Sequence, residues 1–187
     1  MNKIIIFFFS LFLIFGCSTQ NRIVTNEPVE MKIVRYNDDQ REYIKNYILY
    51  RNFDVEIVDT ENYLTIKNMN EEVLTGILRL VQLKMDLIAN NIANANTTRT
   101  ENGGPFIRKY INVSVENGVE IIEDTETPLR HVYDPNHPDA IIDGERKGFV
   151  MMPNVDIVLE MMDMIAISRL YENIMEYAKN NFKDFVW

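Results

Sequence analysis

Apolar residues at helical spacing mark two long segments of the chain. In the first segment they recur at steps of three and four residues, as in a helix that buries one face against a partner: Leu74, Ile77, Val81, Met85, Ile88 and Ile92. The same steps recur near the C-terminus: Ile157, Met161, Met164, Ser168, Tyr171, Met175, Ala178 and Phe182. We expect helices over about 70–96 and 155–183 that form an antiparallel coiled coil, the second capped by Asn154. A flanking row widens the second stripe and predicts a further contact: Val158, Met162, Ile165 and Leu170.

Extended segments lie between and before these helices. Residues 107–115 alternate between apolar and polar, and a second run, 119–122, follows Asn117-Gly118, a pair typical of type I′ hairpin turns. Residues 31–69 predict the order strand, helix, strand, strand. The predicted fold class is therefore α+β. It has two long helices, a β-hairpin and a proline-rich loop between them, and a small N-terminal segment at 31–69 ahead of the main domain at 70–187.

The first 16 residues have the pattern of a signal peptide. Lys3 precedes the run Ile4 to Phe15, which is apolar apart from Ser10 and too short to span a bilayer comfortably. Cys17 follows a small Gly16, and as the only cysteine it cannot form an internal disulfide.

This junction resembles the cleavage site of bacterial lipoproteins, in which the cysteine is acylated. We expect a lipid on Cys17, a tether over residues 17–30 and a mature protein held on a membrane outside the cytoplasm. The alternative is an incidental thiol inside an ordinary secretory signal.

Charge and side-chain chemistry narrow the function classes. The formal net charge is −9, which argues against a nucleic-acid partner. One loop raises the alternative of a metal-dependent hydrolase, through His131, Asp134, His137 and Asp139. Their spacing matches neither a helical histidine pair nor a calcium loop, and the prolines at 135 and 138 restrict the residues before them. We therefore predict a rigid loop, no catalytic residue and no cofactor or metal.

Three stretches resemble the flagellar basal-body rod proteins. They are Ala89-Asn90-Asn91-Ile92-Ala93-Asn94-Ala95-Asn96-Thr97-Thr98-Arg99-Thr100, then Val132-Tyr133-Asp134-Pro135-Asn136-His137-Pro138-Asp139-Ala140, and Pro153-Asn154-Val155-Asp156. The first is closest in wording to the proximal-rod branch, and the resemblance covers roughly residues 72–183. It implies a non-enzymatic subunit of a helical tube, whose terminal helices pack together and on neighbouring subunits.

We therefore expect a structural subunit of the flagellar basal body on the periplasmic side, packed with copies of itself or with other rod proteins. The side chains predicted to make assembly contacts are Asn90, Asn91, Asn94, Met161, Met164 and Tyr171.

Two features depart from the family. Its subunits begin close to the first long helix, so residues 17–69 are additional, and Glu145-Arg146-Lys147 looks like a short insertion. The order of elements in 31–69 is similar to the ring-building modules of membrane-ring lipoproteins, and the alternative is a simple stalk. Because rod proteins use the flagellum's own export channel, a signal peptide also favours an alternative function, an envelope lipoprotein that reuses the rod fold as an adaptor.

Overall fold

The structure, a computed structural model, describes residues 30–34 and 38–182. In chain order its elements are β1 (Met31–Val34), α1 (Asp38–Arg51), β2 (Glu56–Asp59), β3 (Tyr63–Lys67), α2 (Glu71–Ala93), β4 (Lys109–Ser114), β5 (Gly118–Glu123), β6 (Arg130–Tyr133), β7 (Phe149–Met152) and α3 (Ile157–Asn181). The predicted mixture of long helices and small antiparallel sheets is confirmed. The predicted signal peptide and Cys17 lie outside the described residues.

The described strands form three small antiparallel sheets, with the orders β1-β3-β2, β4-β5 and β6-β7. In the first sheet the central strand β3 places Leu64 and Ile66 on its inner face, where both are fully buried. The pairing of β6 with β7 was missed by the sequence prediction, which assigned Val132 and Tyr133 to a loop. All four residues of β6 are exposed, so this strand lacks the alternation of buried and exposed positions that marks a strand in a sequence.

Helix α2 begins at an asparagine cap, where Asn70 Oδ1 accepts a hydrogen bond from the Val73 backbone N–H at 2.9 Å. Most of its first half is buried between α1 and α3, and Glu71, Glu72 and Arg79 are its exposed residues. The approach of α1 requires Gly76, since a Cβ atom there would lie 2.9 Å from the hydroxyl of Tyr47. Beyond Val81 the helix is exposed along one side, at Asp86 for example.

Helix α3 differs from its prediction in two ways. Its cap is Asp156, whose Oδ1 accepts from the N–H groups of Val158 at 2.9 Å and Leu159 at 3.2 Å; the predicted cap, Asn154, is wrong. The buried row is Glu160, Ile167, Leu170, Ile174 and Ala178, whereas Met161 of the predicted seam is 54% exposed. Apolar residues occupy several adjacent rows of this helix and one inward position is a glutamate, so periodicity alone selected the wrong row.

One hydrophobic core crosses the predicted boundary at residues 69 and 70. It contains Met31 and Ile33 of β1 together with Ile174 and Ala178 of α3, and β1 contacts α3 directly. The additional N-terminal segment is therefore packed into the same core as the two long helices. Among the described helices, none combines the length and the apolar composition needed to cross a membrane.

The predicted hairpin is present as β4-β5, but its turn differs. Ser114 pairs with Gly118, so residues 115–117 form a three-residue connection. Gly118 has φ +79°, whereas Asn117 is not among the residues with positive φ, so the turn is not type I′. The glycine lies under Tyr50 of α1, and a Cβ atom there would be 2.5 Å from the ring carbon Cζ. The hairpin tip is thus closed against the N-terminal segment.

Candidate assembly surface

The asparagines at the end of α2 have different environments. Asn90 is exposed, whereas Asn91 is 1% exposed and faces strand β4. The Asn91 side chain donates from Nδ2 to the Lys109 carbonyl at 2.8 Å and accepts at Oδ1 from the Lys109 N–H at 2.9 Å. It thus replaces the neighbouring strand that β4 lacks on this edge. In this conformation Asn91 holds the subunit together internally, which corrects its prediction as an assembly contact.

An ion pair with a buried carboxylate fixes the start of α3 to Arg108, the residue directly before β4. Glu160 is 1% exposed; its Oε1 lies 2.5 Å from Arg108 Nε, and its Oε2 accepts from Asn91 Nδ2 at 3.2 Å. Asn91, close to the end of α2, therefore meets Glu160, close to the start of α3, as expected for helices packed antiparallel. A buried carboxylate is tolerated only when it is paired and hydrogen-bonded in this way.

Asn154 joins two other segments of the chain, at Arg108 and at the turn 124–127, in front of α3. Its Oδ1 accepts from the Arg108 N–H at 2.8 Å, and its Nδ2 donates to the carbonyls of Asp124 at 2.7 Å and Thr127 at 3.1 Å. The Asp124 carboxylate accepts from the N–H of Thr127 at 3.0 Å, and this backbone hydrogen bond is the main cause that lowers the pKa of Asp124. The base of α3 is therefore set by polar contacts within the chain.

The segment that follows α2, residues 94–100, is called the exit from α2, and it is joined to the proline-containing loop. Asp139 accepts from the Thr98 hydroxyl at 2.7 Å and forms an ion pair with Arg99. The hydrogen bond from Thr98 is the main cause that lowers the pKa of Asp139. Arg130 adds a second connection, because it donates to the carbonyls of Ala95 at 3.0 Å and Pro153 at 2.9 Å. The asparagine-rich exit is consequently held at both ends.

Asn94 also bonds locally. Its Nδ2 donates to the Asn90 carbonyl at 2.9 Å, and its Oδ1 accepts from the Thr97 hydroxyl at 3.1 Å. The residue caps the C-terminus of α2 and remains partly exposed. Asn90 and Asn94 are one helical turn apart and therefore lie on the same side of α2, away from the buried Asn91.

The four residues considered for metal-dependent chemistry are engaged by other protein groups, Asp139 by Thr98 and Arg99 as described above. His137 Nδ1 accepts from the Asp139 N–H at 3.0 Å, and Asp134 accepts from the N–H of Asn136 at 3.2 Å. His131 Nε2 lies 2.9 Å from Arg146 Nη1. Across residues 30–34 and 38–182, no cluster of three or more histidine, cysteine, aspartate or glutamate side chains is arranged to hold a metal ion.

The first turns of α3 expose a continuous apolar surface. We call it the α3 apolar face; its residues are 38–66% exposed and comprise Ile157, Val158, Leu159, Met161, Met162 and Ile165. Met164 and Tyr171 of the predicted contact set are partly buried and pack against the core, so they border this face rather than form it. Leu159 was missed by the sequence prediction, because it belongs to neither apolar row.

Six large apolar side chains exposed on neighbouring positions of one helix are typical of a surface that contacts another macromolecule. On one side, Leu159 and Met162 of the α3 apolar face adjoin Glu160, Arg108 and the loop residues Asp124, Thr127 and Asn154. The polar groups beside it, Asn154, Asp156 and Glu160, form hydrogen bonds within the chain, so the face itself presents mainly apolar side chains.

Comparison with known proteins identifies relatives for both long helices. The family described as "Flagella basal body rod protein" matches residues 78–99, and "Flagellar basal body rod FlgEFG protein C-terminal" matches residues 146–178. The chain is 39% identical to the flagellar basal-body rod protein FlgC of Borreliella burgdorferi, over 54% of this chain and 84% of the relative. It is 31% identical to FlgC of Bacillus subtilis, over 54% of this chain and 81% of the relative. It is 30% identical to FlgC of Salmonella typhimurium, over 50% of this chain and 73% of the relative.

Proposed function

Because this chain belongs to the flagellar basal-body rod family, we propose that it is a structural, non-enzymatic subunit of the bacterial flagellar basal body. It assembles by packing its helices against other rod-type proteins or against copies of itself. The observation that carries the proposal is the α3 apolar face, which lies inside the segment 146–178 that matches the C-terminal rod family.

The size of that face indicates what kind of assembly it supports. Burying the exposed half of a large apolar side chain contributes about 0.8–1.5 kcal/mol, so its six residues contribute roughly 5–9 kcal/mol before any costs. Association costs an estimated 4 to more than 15 kcal/mol in lost freedom of movement. One such contact is therefore marginal, and stable assembly requires several contacts per subunit, as in a closed or helical array.

We propose Met161 as the central contact, with Met164 and Tyr171 at the border of the face. Asn90 supplies an exposed amide at the end of α2 and Asn94 a partly exposed one, where a neighbouring subunit can reach them. Antiparallel packing of α2 with α3 presents the end of α2 and the start of α3 at the same end of the subunit, which supports one shared contact region.

We further propose that acyl chains on Cys17 anchor the protein to a membrane on the periplasmic side, after removal of a signal peptide over residues 1–16. Each buried methylene of such chains contributes about 0.8 kcal/mol. Support comes from the sequence pattern around Gly16 and Cys17. The alternative of an adaptor outside the motor is not favoured, because the relatives reported above are rod proteins.

Cell fractionation combined with purification of flagellar basal bodies tests these proposals. We expect wild type in purified basal bodies, Cys17→Ala lost from membranes, and Met161→Asp retained on membranes but lost from basal bodies. Met161 is preferable to Met164 for this purpose, because Met164 also packs against the core and its replacement perturbs folding.

Glu172→Gln, on an exposed part of α3, is the matched control and should assemble normally. Recovery of wild type only with envelope membranes would exclude the basal-body function. Normal assembly of Met161→Asp would exclude the assigned contact face.

A further inference from the structure

The outward side of α3 changes in chemistry along its length. The α3 apolar face occupies its first nine residues, a length of about 12 Å. Beyond it the exposed positions are polar or charged: Arg169, Glu172, Glu176, Lys179, Asn180 and Asn181. A partner that packs on apolar surface is consequently restricted to the first turns of the helix.

An acidic groove of about 420 Å³ runs beside this apolar face. Its lining includes Leu159 and Met162 of the face and four carboxylates: Asp124, Asp156, Glu160 and Asp163. Arg108 is the basic residue in the lining, and it is already paired with Glu160 at 2.5 Å. The groove therefore has an excess of negative charge directly beside exposed apolar side chains.

The sequence explains why this imbalance is local. No lysine or arginine occurs between Lys147 and Arg169, whereas three acids do: Asp156, Glu160 and Asp163. A second copy can offer the same apolar stretch only together with the same acids, and like charges brought together across an interface are unfavourable. The net charge of −9 adds to this repulsion.

We propose that the α3 apolar face receives an amphipathic helix of a different protein, one that carries lysine or arginine along the border of its apolar stripe. The apolar stripe packs on Met161 and Met162, and the cations enter the groove beside Asp163. This inference rests on the proposed function and narrows it, because it assigns this face to a partner of opposite charge rather than to a second copy of the chain.

Two synthetic amphipathic helices with identical apolar faces test the inference, one with lysine and one with glutamate along both borders. Their affinities for the full chain, held in nanodiscs of neutral lipid, are measured by fluorescence anisotropy. We expect the lysine peptide to bind at least about tenfold more tightly, with a preference that falls as salt is raised.

Charge-reversal variants locate the preference. Asp163→Lys should abolish it, and Asp163→Asn, which removes the charge without adding bulk, should give an intermediate value. Glu172→Lys reverses a charge on the solvated half of α3 and should leave it unchanged.

Equal affinity of wild type for the two peptides would overturn the inference. So would a wild-type dimer in sedimentation analysis that Met162→Asp dissociates, since the occupant would then be a second copy. These outcomes are independent of basal-body purification: a protein that copurifies with basal bodies but shows no charge preference refutes only the inference. A clear preference in a protein absent from basal bodies refutes only the proposed function.

Discussion

Replacement of Asn91 by alanine tests the internal role assigned to this side chain. The substitution removes three hydrogen bonds, two with the backbone of Lys109 and one with Glu160. Each contributes about 1 kcal/mol net, and the groups left behind are buried without partners, so we expect a loss of about 3 kcal/mol in the free energy of unfolding. For a chain of this size that corresponds to roughly 6–12 °C in melting temperature.

The neighbouring residue provides a matched control. Asn90 is exposed, and alanine is the better helix former, so Asn90→Ala should leave stability unchanged or raise it by a few tenths of a kcal/mol. Urea unfolding followed by circular dichroism at 222 nm, a standard helix signal, measures both variants under one set of conditions. If the two variants differ by less than about 1 kcal/mol, Asn91 does not hold α2 to β4, and the buried network is not a source of stability.

Two further predictions concern the hairpin and the loop. Gly118→Ala should destabilise the chain by about 2–4 kcal/mol in urea unfolding, because positive φ and the ring of Tyr50 both oppose a Cβ atom. Gly103→Ala is the control: at φ +82° and with nothing within 4 Å of the added carbon, it should destabilise the chain clearly less. Equal losses of stability would argue against the Tyr50 contact. The pKa of Asp139 is lowered in the folded chain, so its contribution to stability is present above the ordinary aspartate pKa of about 3.9 and is lost as the pH falls through the folded pKa. Asp139→Asn should therefore make unfolding less dependent on pH in acid, and an unchanged pH profile would refute the stabilising role of the Asp139 carboxylate.

Periodicity was sufficient to predict the long helices and the N-terminal order of elements, since each depends on local patterns of apolar residues. It was insufficient where a polar residue faces inward. Asn91 lies three residues after the buried Ile88, a spacing that places both on one side of the helix, and this signal could have identified it. Glu160 carries no comparable signal, because its burial depends on Arg108, which is distant in the sequence.

The cap of α3 shows a related limit. Asn154 and Asp156 are both suitable capping residues, and only the tertiary contacts of Asn154 with Arg108 and two loop carbonyls exclude it from the cap. The sequence predicts that the start of α3 is apolar, but it does not predict which row of residues faces outward. The packing of α2 against α3 determines which row is buried, and several rows of α3 are apolar enough to occupy the buried side.

The shared core has a consequence for how the chain folds. Strand β1 contacts α3, and the core that they share includes Ile174 and Ala178, so the beginning of the core is completed by residues close to the end of α3. Such distant contacts slow folding, because a long loop must close before they form. A chain that emerges N-terminus first therefore exposes the apolar sides of α1 and the first sheet until α3 arrives, and a truncation within the last two turns of α3 should leave the N-terminal segment unfolded as well.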